Sequence, residues 1–227
     1  FAYVQLVVQG RTEGGVASDV TRSIDAKGAT EHLAIDALGF VRPIADGSGQ
    51  LSLSLDGVER SIPYRVSGMG REPAPRFRTD VMPVLSRSGC NTGSCHGSAD
   101  GQNGFRLSLR GYDAVFDHGS LTDDLGARRF DRVAPERSLF LTKPTGRVPH
   151  VGGQALDPES EDYALLLAWT KHNAPFESDA LRVESIDVLP QDLILQSVGD
   201  RQQVAVWATM SDGSRRDVSA HAFVETS

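Results

Sequence analysis

The two ends of this chain carry the same segment. Residues 5–21 read QLVVQGRTEGGVASDVT and residues 203–219 read QVAVWATMSDGSRRDVS, aligned without a gap at an offset of 198 residues. Gln5 matches Gln203, Val8 matches Val206, Gly15 matches Gly213, Asp19 matches Asp217, Val20 matches Val218 and Thr21 matches Ser219. Each copy has an alternating strand, a glycine turn and a return to Asp-Val-Thr/Ser, which is the pattern of a β-hairpin. Two such copies around an unrelated middle predict a repeated β-module interrupted by a different domain.

More strand-like pieces follow the first copy. HLAIDALGFVRPIA turns at Gly39, and GQLSLSLDG places Leu51, Leu53 and Leu55 on one face. RSIPYRVSG closes the segment near Gly68, so residues 1–68 read as a small β-sandwich. The Pro-rich stretch 69–76 reads as a linker, and residues 77–177 differ in character. There Phe77, Val81, Val84 and Leu85 recur at helical spacing, with Pro83 disturbing the start and Gly89 as a stop. DPESEDYALLLAWTKHNAP reads as a second helix, with Asp157 as cap, Pro158 in the first turn and Asn173 and Pro175 ending it. Residues 178–227 read as the first half of a second β-module.

Composition excludes some functions. A net charge of −7 argues against a nucleic-acid partner, because phosphate binding wants clustered Lys and Arg. No apolar run approaches the roughly 20 residues that span a bilayer. FAYVQLVVQG at the start reads as a strand and has no basic lead, so the expectation is a chain that begins after any targeting segment.

The chemistry concentrates in GCNTGSCHG, residues 89–97, which holds both cysteines of the chain. Covalent haem attachment uses two thiols close in sequence followed by a histidine that ligates the iron. Its common spacing is C-x-x-C-H, whereas Cys90, Cys95 and His96 give C-x-x-x-x-C-H. Asn91, Thr92, Gly93 and Ser94 are small enough for the extra residues to bulge outward. The same residues admit other chemistry: a Cys90–Cys95 disulfide loop, or a zinc site that adds His150.

VMPVLSRSGCNTGSCHG, then GFRLSLRGYD, VAPERSLFLTKPTG and VPHVGGQALDPESEDYALLLAWTKHNAP, resemble the cytochrome c-like domains of large planctomycete proteins over about 100 residues. The alternating strands with Asp-Gly-Ser and Asp-Val-Ser/Thr, and ALGFVRPIADGSGQLSLSLDG, resemble bacterial immunoglobulin-like domains of group 2. In that family a strand precedes QLxV. The second copy has it and the first does not, which implies a piece of a longer protein with a partial module at each end. The fold class expected is therefore multidomain: a central, mainly α cytochrome c-like domain with long loops, flanked by all-β immunoglobulin-like sandwich modules, both partial.

Carried over to this chain, the cytochrome resemblance implies one covalent haem c on Cys90 and Cys95 with His96 as proximal ligand. Where the family often has a Met-Pro-Pro loop, this chain has RVPHVGG. Val148 cannot ligate iron, and His150 two residues on can, so bis-His coordination is expected. Met82 is a rival distal ligand, and an open sixth position remains an alternative. His118 and His172 are expected to be exposed, with His32, His221, Met69 and Met210 outside the site. Phe105, Leu107, Leu109, Phe140, Leu141, Leu166 and Trp169 are the expected haem wall or core, and Arg106, Arg110, Arg128, Arg129 and Arg147 the candidates to pair with propionates. The function implied is electron transfer outside the cytoplasm, with a redox partner protein and no enzymatic activity in this segment. The β-modules would serve as spacers or docking elements. A haem-free interaction module and a five-coordinate sensor or peroxidase-like site are the alternatives.

Overall fold

In the computed structural model, which describes residues 2–11, 13–27, 31–70, 74–177, 181–192, 195 and 197–222, the first repeat opens with β1 (Val4–Gln5), β2 (Gln9–Arg11) and β3 (Ala17–Asp19). The segment continues through β4 (Asp25–Lys27), β5 (Leu33–Ile35) and β6 (Phe40–Pro43) to the long pair β7 (Gly47–Leu55) and β8 (Val58–Val66). β7 and β8 join through Asp56-Gly57, both at positive φ, the two-residue turn that matches strand twist. Alternation along β7 buries Leu51 and Leu53 with Leu33. The sheets are small: β1-β6-β5, β4-β7-β8 and the β2-β3 hairpin.

The second repeat forms β9 (Val183–Leu189), β10 (Ala205–Met210) and β11 (Arg215–Asp217) in one antiparallel sheet. Its hairpin reproduces the first copy bond by bond. Val20 N donates to Val8 O at 2.9 Å and Val218 N to Val206 O at 2.8 Å. Thr21 N donates to Asp19 Oδ1 and Ser219 N to Asp217 Oδ1, each at 2.8 Å. The hydroxyls of Thr21 and Ser219 accept from Val8 N and Val206 N, each at 2.8 Å.

The chain divides into two units, one Pro73–Ala180 and one composed of Ala2–Glu72 together with Leu181–Ser227. In the first, a π-helical turn at Phe77–Val81 leads into α1 (Met82–Arg87), with Pro83 in its first turn. The other helices are α2 (Ala114–Thr122), α3 (Asp124–Ala127), α4 (Leu139–Thr142) and α5 (Glu161–Lys171). α5 begins later than the sequence suggests. Ser160 caps it through Tyr163 N, while Asp157 accepts from Glu159 N in the turn before. The core is one cluster in which Phe77, Val81, Val84, Leu141 and Trp169 are fully buried. Trp169 packs against Phe77 and Phe140, and its indole N–H donates to Pro175 O at 3.0 Å.

The expected fold class is overturned. Among the described residues, strands in small sheets outweigh helix, and the five α-helices are short. The middle unit is not mainly α, since its longest helix has 11 residues and α3 and α4 have four each. Eleven glycines and seven prolines between residues 74 and 177 explain this, because they break helices and favour turns. The two terminal segments of the chain fall together in one unit, whose described strands form small sheets. Among the described residues, no helix is long and apolar enough to cross a membrane.

Leu141 is fully buried in the middle unit. Leu141→Ala is expected to destabilise that unit by about 2–5 kcal/mol. Urea unfolding followed through Trp169, with Trp207 replaced by Phe so that only the middle unit reports, measures the loss.

Candidate functional site

The site is set by how α1 ends. Gly89 takes φ 75°, a conformation open to glycine. Gly89 N donates to Ser86 O at 3.0 Å and Cys90 N to Leu85 O at 2.9 Å, the paired bonds of a Schellman cap. The cap turns the chain sharply and delivers Cys90 beside the apolar core, against which it packs.

The loop then closes on itself. His96 N donates to Cys90 O at 3.0 Å, so the six residues after Cys90 return to it. Gly93 and Ser94 are exposed at the tip, as a bulge requires. Asn91 is not part of that bulge. It is buried, its Nδ2 donates to Ser86 Oγ at 2.8 Å, and its carbonyl accepts from Arg110 N at 3.0 Å. Gly97 completes the closure, because a Cβ there would stand 2.0 Å from Asn91 O. Leu107 N donates to His96 O at 2.8 Å and ties the loop to the next segment.

Both expected histidine ligands are brought together. The rings of His96 and His150 lie 6.3 Å apart between centroids, with planes 15° from parallel. His96 Nδ1 lies 3.0 Å from Phe105 O, and His150 Nδ1 lies 2.8 Å from Gly153 O. A carbonyl only accepts, so in each ring Nδ1 carries the proton and donates it. That leaves Nε2 as the nitrogen available to a metal in both rings. Burial pushes the His96 imidazole below its ordinary pKa. The bond to Phe105 O opposes this, and the nearby His150, Arg129 and Lys143 add to the lowering, which favours a neutral ring at neutral pH. The His150 turn is rooted by Val148 N to Thr142 O at 3.1 Å and by Lys143 Nζ to Pro149 O at 3.4 Å. Within it, a Cβ on Gly152 would come 2.9 Å from His150 Cε1, so the turn needs glycine to fold against the ring.

The two cysteines are free thiols and form no disulfide. Among the described residues, no group of three or more His, Cys, Asp and Glu side chains forms a metal-ion cage, as a zinc site would need. A haem asks less of the protein, since the porphyrin supplies four of the iron's nitrogens and two imidazoles complete the set. By residue type the donor set suits such a group: two free thiols, a histidine next to the second, and a second histidine close to the first with its Nε2 spared.

Other expectations fall out differently. Met82 is buried in the core and packs where Gly111 passes close to its methyl group. His118 is not an exposed residue. Its Nε2 donates to Ala174 O at 2.8 Å, and its ring packs between Phe77 and Phe176. His172 is exposed, as expected. His32 and His221 lie in the β unit, His32 bonded to Tyr64 and His221 packed on Tyr3. Leu107, Phe140, Leu141, Leu166 and Trp169 are buried in the core, whereas Leu109 is 49% exposed. Phe105 packs directly on His96, centroids 4.4 Å apart. Arg129 is buried, donating to Gly104 O at 2.6 Å and Ser120 O at 3.0 Å, with its guanidinium over Phe105. It is a brace for the Phe105–His96 stack rather than an open cation. Arg147 lies over Tyr163 and Arg106 over Phe116. An open cleft of about 260 Å³ adjoins the motif at Gly97 and is lined by Leu107, Leu109, Tyr112 and Phe116, but includes neither histidine.

Comparison of the chain with protein-family models, with curated proteins and with solved structures gives no match in any of the three.

Burial, reinforced by the neighbouring Cys95, pushes the Cys90 thiol up to about 11. At pH 8 its thiolate fraction is then about one in a thousand. Iodoacetamide at pH 8 is expected to modify Cys95 ahead of Cys90, with Cys90 catching up as the pH nears 11. Peptide mass mapping over time reads this, and equal rates at pH 8 would contradict the buried position of Cys90.

Proposed function

We propose that this chain carries one haem c, bound through Cys90 and Cys95 and ligated by His96 and His150, and that it transfers electrons outside the cytoplasm. The observation that carries this reading is a closed loop bearing two free thiols and His96, with His150 close by and Nδ1 of each imidazole committed to a main-chain carbonyl. The resemblance of the motif and its flanking segments to planctomycete cytochrome c-like domains supports it. When bound, the haem iron supplies one-electron chemistry between its ferric and ferrous states.

The chain's own groups do the rest. Phe105 O and Gly153 O fix the two tautomers and leave each Nε2 unprotonated. His96 and His150 would hold the iron, and with two histidine ligands the group would serve electron transfer rather than catalysis on a bound substrate. Two imidazoles also give a lower potential than a His/Met pair. Phe105 and the buried Arg129 hold the proximal ring from the side and limit water there. The exchange partner would be a redox protein meeting the surface of the middle unit, and the β unit would act as spacer or docking element.

The test is a visible spectrum of protein made with a working haem-attachment system, oxidised and dithionite-reduced, with an alkaline pyridine assay. Sharp reduced α and β bands of low-spin haem c are expected, and no Soret band would sink the reading. His150→Ala is expected to give a high-spin or CO-reactive haem. An unchanged low-spin spectrum would remove His150 from the distal role and leave the thioether attachment standing.

A further inference from the structure

The two β-segments share one unit, and the contacts between them obey the sequence repeat. Gln5 N donates to Asp217 Oδ2 at 2.5 Å. Gln203 N donates to Asp19 Oδ2. Gln203 is the repeat counterpart of Gln5, and Asp217 is the counterpart of Asp19. The bond from repeat one to repeat two is therefore matched by the same bond in the opposite sense. In each aspartate the oxygens divide the work: Oδ1 accepts from its own Thr21 or Ser219 amide, and Oδ2 reaches the other repeat.

We propose that the two Asp-Val-Thr/Ser returns are a homotypic latch, by which each repeat binds the other and holds the two termini of the interrupted β unit together. The partner of each surface is thus the other copy within the same chain. Charge-assisted acceptance by a carboxylate is among the stronger hydrogen bonds, and it occurs here twice about a pseudo-twofold relation. A third contact breaks the symmetry and adds to the grip: Ala220 N donates to the Tyr3 hydroxyl at 3.0 Å, and the Tyr3 ring meets His221 edge-on. The latch makes the second segment a binding element for the first, separable from the covalent path through the middle unit.

The crossed arrangement gives a crossed test on the full chain. Asp→Asn keeps an oxygen for the local turn and turns an N–H donor toward the donating amide of the other repeat. Amide hydrogen exchange by NMR is expected to speed up about tenfold or more at Gln5 in Asp217→Asn, and at Gln203 in Asp19→Asn, each without the other. Amides of the β7–β8 ladder, such as Leu51 and Ile62, report whether a variant has unfolded globally. A second measurement needs no aspartate variant. A protease site placed at residues 178–180 is cut in the folded chain, and the two pieces are expected to co-elute in size-exclusion chromatography at micromolar concentration. Separation of the cut pieces, or faster exchange confined to the mutated repeat, would overturn the latch. Neither outcome bears on haem attachment.

Discussion

The end of one short helix governs the middle unit. α1 stops at Gly89 because the residue there takes φ 75° and the Schellman bonds close behind it. That stop places Cys90 at the point where the backbone leaves the core, and it decides where His96 can return. The closure admits only glycine at 97, since any side chain there meets Asn91 O. From His96 the chain is led to Leu107 and thence to Arg110, whose amide closes back on Asn91.

The imidazoles show why backbone matters more than residue type at such a site. A histidine in a loop can present either nitrogen or carry two protons. Here Phe105 O and Gly153 O remove that choice on both sides, and burial of His96 opposes protonation of the remaining nitrogen. The two supports differ in kind. Phe105 is held by its bridge to Gln102 and by Arg129 stacked upon it, whereas Gly153 belongs to the same tight turn as His150. His96 is thus braced by the fold and His150 by its own turn, so His150 is the ring a local change would dislodge.

Much of this was legible in the residues. Leu51 and Leu53 announce β7 by alternation. Phe77, Val81, Val84 and Leu85 announce the first helix and Gly89 its stop. Cys90, Cys95 and His96 are adjacent by spacing, and His150 was singled out as the second imidazole, which the structure brings to 6.3 Å from His96. The partners that set the tautomers were not legible, because a carbonyl belongs to no residue type. Asn91 and Arg129 are polar side chains of the kind usually exposed, yet both are buried, Asn91 by its bond to the Ser86 hydroxyl and Arg129 by bonds to main-chain carbonyls. His118 misled in the same way. The mainly α reading weighted two periodic segments too heavily against the glycines and prolines between them, which leave most of that unit in turns.

The repeat shows the limit of reading halves separately. Each copy, taken alone, looks like a module lacking strands, and a lone three-residue hairpin has little to hold it. In the structure the missing stabilisation comes from the other copy, through a carboxylate that serves its own turn with one oxygen and its counterpart with the other. A duplicated segment suits this task because a surface that binds its own kind needs only one set of residues to be right. An insertion between the copies then leaves the pairing residues untouched, which reconciles a middle unit of different character with a β unit assembled from both ends of the chain.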